Sequence, residues 1–111
     1  MSGLSRRVLL VLVTTSNRRE AVKIGEAVVA QKLAACANLV PSVTSIYRWK
    51  GRMQKSHESL LIMKTTTRRY PALAKVIRAM HSYEVPEIIG LTVERGSRPY
   101  LEWVLEETAT D

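Results

Sequence analysis

The sequence predicts an α+β fold with the element order β-α-β-β-α-β and one more helix at its end. Three observations predict it. Val8 to Val13 is an unbroken apolar run that, as a strand, is buried on both faces. Two stretches repeat apolar side chains at helical spacing. The segment between them is extended, with a glycine turn in its middle. This order is the split βαβ arrangement of a ferredoxin-like sandwich.

After the first strand, Asn17 offers a side-chain cap and Glu20, three residues on, completes a capping box. Ala21, Ile24 and Val28 then share one face of a helix over about 18–32. From Ala35 to Lys50 the pattern is extended, interrupted by Pro41 as strands are at an edge or a bulge. Gly51 turns the chain, and a third strand through Ser59 to Thr65 closes a long hairpin whose tip, Lys50 to His57, is basic and polar. Leu73, Val76, Ile77 and Met80 mark a second helix from near Pro71 to Ser82. Pro86 to Glu94 supplies the fourth strand. Ser97 caps a last helix bearing Leu101, Val104 and Leu105, with Pro99 in its first turn.

With 111 residues the chain is expected to form a single domain over 1–111, large enough for a core without disulfides or a structural metal. Its single cysteine, Cys36, has no intramolecular partner, which favours a reducing, cytoplasmic setting. Arg6 and Arg7 precede the first apolar run as in a signal peptide, but the run is too short to span a membrane and no small-residue cleavage site follows. No membrane partner is expected. The formal charge is +7, yet the positive side chains are dispersed, and the chain has no Phe for the aromatic motif of an RNA-binding sheet. Nucleic acid is therefore not an expected partner.

Two helices cover only one face of a four-stranded sheet. The first strand needs a cover on its other face as well, and the short last helix is insufficient alone, so self-association is expected.

Four collinear blocks carry a resemblance: Leu33 to Asn38, Ser45 to Gly51, Glu58 through Leu60-Leu61 to Lys64-Thr65, and His81 to Ile88. They are similar to the CutA divalent-cation tolerance family, and the likeness runs from Val8 to Trp103. The resemblance implies a homotrimer of ferredoxin-like subunits, a PII-like architecture, and a response to metal ions that includes copper binding. Two departures stand out. Ala37 replaces a usual valine, and Ser82 replaces the proline usual between the histidine and the tyrosine, a change expected to loosen the turn that presents His81.

The candidate metal ligands are Cys36, His81 and Glu84, with copper preferred over zinc because thiolate and imidazole suit it. Two of them have a plainer reading. Cys36 also reads as a small buried hydrophobe, and His81 as a helix-terminal residue with a structural hydrogen bond. No CxxC or HxxxH spacing builds a complete site within one subunit, so a metal site would be shared. Tyr47 and Trp49, two apart on a strand, share a face and either stack a planar ligand or pack on a neighbour. Lys64, in an otherwise apolar strand, reads as holding an anion or a carboxylate from another chain, with Glu58 and Glu87 either such partners or surface charges. Tyr83 joins the polar cluster of His81 and Glu84.

No nucleotide-binding glycine loop, oxyanion hole or nucleophile–base–orienter set is legible, so no catalytic role is assigned and no cofactor is obligatory. Two functions remain: a non-catalytic protein of copper or other divalent-cation tolerance, or a PII-like module sensing a small molecule in an intersubunit cleft.

Overall fold

A computed structural model describes residues 2–110. Its elements are α1 (Ser2–Arg6), β1 (Val8–Thr15), α2 (Arg18–Ala30), β2 (Cys36–Trp49), β3 (Arg52–Thr66), α3 (Tyr70–Met80), β4 (Ile89–Thr92) and α4 (Arg98–Glu107). They form a four-stranded sheet of order β2-β3-β1-β4, with antiparallel pairing throughout. The predicted β-α-β-β-α-β order with a terminal helix is borne out. Three features differ. The third strand starts at Arg52, directly after the turn, so the predicted tip up to His57 is paired strand; the last strand is confined to Ile89–Thr92, within the wider predicted span; and α1 has no counterpart in the sequence reading. Five residues carry too little periodicity to announce a helix. α1 is held by tertiary contacts, with Leu4 against Val8, Leu101 and Val104, and Ser5 Oγ donating to the Glu94 carbonyl across 2.8 Å.

The main core lies between one face of the sheet and helices α2 and α3. Leu9, Val11 and Val13 of β1 and Leu61 and Met63 of β3 meet Ala21, Ile24 and Val28 of α2 and Leu73 and Ile77 of α3. The capping box forms in a shifted version. Asn17 Oδ1 accepts the Glu20 N–H at 2.8 Å, while the Glu20 carboxylate accepts the N–H of Ser16 rather than of Asn17.

The other sheet face is only partly covered. α4 buries Val8, but Leu10 and Leu12 beside it stay half-buried, and Ile89 and Leu91 are 48% and 49% exposed. The sheet register places Leu10 between Lys64 and Leu91, and Leu12 between Ile62 and Ile89, so an apolar patch of Leu10, Leu12, Ile62, Ile89 and Leu91 lies on this face with Lys64 at its border.

β1 ends opposite Ser59, so the hairpin beyond it is a two-stranded ribbon with no third strand. Val40 pairs with Leu60 but Val43 with Glu58: three steps along β2 span two along β3. This bulge at Pro41–Ser42 reverses which residues of β2 face which way. Cys36, Asn38 and Val40 share the half-covered face before it, and Val43, Ser45, Tyr47 and Trp49 continue on that face after it.

Candidate functional site

The bulge brings Tyr47 and Trp49 over the same side of the hairpin as Glu58. The segment after α3 closes the opposite wall with Tyr83, Glu84, Val85 and Glu87, enclosing a half-open cleft of about 600 Å³. That volume lies within the range of small-ligand sites. Tyr83 reaches across it, its hydroxyl donating to Glu58 Oε2 at 2.6 Å. Burial and the Glu58 carboxylate together push the Tyr83 phenol above its ordinary range. Tyr47 shares a 2.9 Å hydrogen bond with Ser56, which fixes its ring along the ribbon.

His81 stands behind this wall. A carbonyl only accepts and a backbone N–H only donates, so its two bonds set the tautomer. Nε2 carries the proton to the Thr14 carbonyl at 2.7 Å, and Nδ1 accepts the Tyr83 N–H at 3.1 Å. The His81 and Tyr83 ring centroids are 4.7 Å apart. His81 is thus the post that orients Tyr83, and its lone pair is already engaged.

The turn at His81 is not loosened by Ser82. The Ser82 N–H, which a proline would lack, donates to Glu20 Oε2 at 2.7 Å and ties the turn to the first turn of α2. The expectation drawn from the missing proline is corrected by this bond. Burial raises the pKa of Glu20, but the hydrogen bonds from Ser16 and Ser82 outweigh it and hold the carboxyl at about 2.

Cys36 and Lys64 lie elsewhere. They are cross-strand partners, and both turn to Asn38, whose Oδ1 accepts from the Lys64 ammonium and from the Cys36 thiol at 3.6 Å. Lys64 is level with Leu10 on β1, whereas His81 is bonded to Thr14, four residues further along, or roughly 13 Å at a strand's rise per residue. The sequence-derived metal set is therefore divided. Glu84 lines the cleft, His81 lies behind it, and Cys36 sits at the head of edge strand β2. Among the described residues, no group of three or more His, Cys, Asp or Glu side chains is placed to hold a metal ion.

Within the chain, the Lys64 ammonium donates to Asn38 Oδ1, and neither Glu58 nor Glu87 of the same chain pairs with it among the described residues. Both glutamates belong to the cleft instead. Burial, and then the neighbouring Glu58 charge, raise the pKa of Glu87. From the sequence these two residues read only as partners for Lys64 or as surface charges. Glu58 carries a usable signal, since it heads the strand block shared with the resembled family.

The ferredoxin-like fold that carries this acidic, aromatic-walled cleft is the fold of the solved divalent-cation tolerance proteins. Residues 9–107 match the family described as CutA1 divalent ion tolerance protein, and the chain belongs to that family. It is 46% identical over 99 residues to the divalent-cation tolerance protein CutA of Thermus thermophilus, covering 89% of this chain and 96% of that one. It is 48% identical over 96 residues to Protein CutA of Homo sapiens, covering 86% of this chain and 54% of the relative, so it spans about half the length of that relative. Among solved structures, the divalent cation tolerance protein Cut A1 of Thermus thermophilus superposes with a TM-score of 0.90 at 44% identity, covering 92% of this chain and 99% of that chain. CutA1 of Oryza sativa superposes at 0.91 with 36% identity, covering 97% and 99%.

Proposed function

We propose that this divalent-cation tolerance protein is a cytoplasmic, non-catalytic homotrimer with a PII-like arrangement that binds a cation in the cleft, copper before zinc. One observation carries the reading. Among the described residues, Glu58, Glu84 and Glu87 line the cleft and no Lys or Arg does, in a chain whose formal charge is +7. A local excess of carboxylates against that background selects for positive ligands. One subunit leaves the coordination incomplete, so a neighbouring copy completes it, and Cu(II) is favoured because it stands highest in the divalent affinity order.

The aromatic walls support a second reading, a small organic ligand stacked on Trp49. Lys64 lies away from the cleft, which removes the cation that an anionic ligand would have used.

Calorimetric titration with copper and with zinc tests the proposal. The expected result is saturable binding at a fixed ratio per subunit, weakened about tenfold or more by Glu84→Gln. If Cys36→Ser abolishes binding while Glu84→Gln leaves it intact, the thiol is the ligand and the cleft is not the metal site. If neither change matters, the organic-ligand reading takes precedence.

A further inference from the structure

We infer that the chain carries a second, oppositely charged site, a pocket for a single phosphate-type oxoanion, between the end of β3 and the end of α4. Arg7, Thr67, Arg68 and Arg69 form one side and Thr108 and Thr110 the other, around a cavity of about 130 Å³. Among the described residues, no Asp or Glu lines it. The size limits the ligand. It holds on the order of four waters' share of liquid, which suits one tetrahedral anion with a water, whereas drug-sized ligands need about 300 Å³ or more.

Three arginine residues line a space this small, and their like charges repel one another unless something negative joins them. Among the described residues, the side chains of Arg7 and Arg68 make no ion pair or hydrogen bond, and Arg69 spends only its Nε, on the Lys32 carbonyl at 3.4 Å. At the end of α4, Thr108 Oγ1 donates to the Val104 carbonyl at 2.8 Å, and among the described residues no arginine side chain is bonded to an α4 carbonyl. Planar, multi-donor guanidinium groups match the oxygens of a phosphate or sulfate group better than they match chloride. The first turn of α3 has no acidic residue, and its N-cap residue Arg69 makes no side-chain capping bond, so this wall adds no competing negative charge.

This site is independent of the cleft, where the charge is negative. It also accounts for part of a basicity that the cation reading leaves unexplained.

Calorimetry of the full chain with inorganic phosphate, against sodium chloride at matched ionic strength, reads the site directly. The expected result is saturable uptake of one phosphate per subunit. Arg7→Gln and Arg68→Gln should each weaken it about tenfold, the effect of losing one charge-assisted hydrogen bond. Arg52→Gln, the same charge loss at the hairpin tip, should leave it unchanged. A nucleoside monophosphate should bind no more than a few fold better than phosphate, since only its phosphate group fits. No heat beyond that of chloride, or equal weakening by Arg52→Gln, overturns the proposal. So does a strong preference for an oligonucleotide, which would make the arginines a polymer-binding surface. Circular dichroism of the variants separates lost binding from lost folding.

Discussion

The Tyr83 hydroxyl donates to Glu58 Oε2 across 2.6 Å, joining the segment after α3 to the β2–β3 hairpin, two pieces of chain 25 residues apart. Glu58 is 8% exposed and has no other side-chain partner among the described residues. Tyr83→Phe therefore leaves a buried carboxylate short of a donor. The expected loss is about 1–3 kcal/mol in denaturant unfolding at fixed protein concentration. A double-mutant cycle with Glu58→Gln should return most of that figure as coupling energy. Additive effects would show that the bond contributes nothing to folding.

Glu20 makes stability depend on acid pH. Its folded pKa of about 2 lies below the ordinary 4.5. A group depressed in the folded state stabilises fully above its unfolded pKa, and that contribution fades as pH falls from about 4.5 towards 2. Unfolding measured across this window should show a slope that Glu20→Gln flattens. Ser82→Pro removes one donor to the same carboxylate, so it should move the Glu20 titration upward while leaving stability near pH 7 within about 1 kcal/mol, because proline also stiffens the unfolded chain. An unmoved titration in Ser82→Pro would show that the 2.7 Å bond does not persist in solution.

Where local chemistry decides the structure, the sequence is legible. The Asn17–Glu20 cap, the Ser97 cap of α4 and the doubly apolar β1 each depend on neighbours a few residues away. The cleft depends on a bulge. A strict two-residue alternation from Cys36 would put Tyr47 and Trp49 on the opposite face. Pro41 marks an interruption but does not count the extra residue. The division of Cys36 from His81 is equally hidden, because it follows from strand register, and register is set by partners 26 or more residues away. Sequence chemistry supplies the residue types of the cleft, not their grouping.

Gly25 sits inside α2, where glycine costs helix stability. A Cβ there would meet Ala37 Cβ at 3.4 Å and Leu61 Cδ2 at 3.6 Å, ordinary contact distances. Gly25→Ala should therefore stabilise the protein by roughly 0.5–1 kcal/mol. Gly51, at φ +77°, is the contrasting case, and Gly51→Ala should destabilise by about 1 kcal/mol or more. A loss of stability in Gly25→Ala would show that α2 and β2 are packed more tightly than these distances imply.

The half-covered sheet face makes the sharpest prediction about assembly. Leu10, Leu12 and Ile62 are half-buried there, Ile89 and Leu91 are about half exposed, and the two-stranded ribbon beyond Ser59 carries Tyr47 and Trp49 on the same side. A lone two-stranded ribbon is marginal in water, so both features call for a neighbour. Closed threefold association would cover them together, with burial of each half-exposed Leu or Ile contributing on the order of 1 kcal/mol per subunit. Light scattering at micromolar concentration should return three times the 12.5 kDa subunit mass. Leu91→Glu places a charge in the covered patch without disturbing the subunit core, and should shift the population to monomer. Trp49→Ala should weaken assembly if its ring packs on a neighbour, and leave the trimer intact while reducing ligand uptake if it lines only the cleft. A wild-type chain that scatters as a monomer would remove the basis for a site shared between subunits. A trimer unaffected by Leu91→Glu would move the interface off the sheet face.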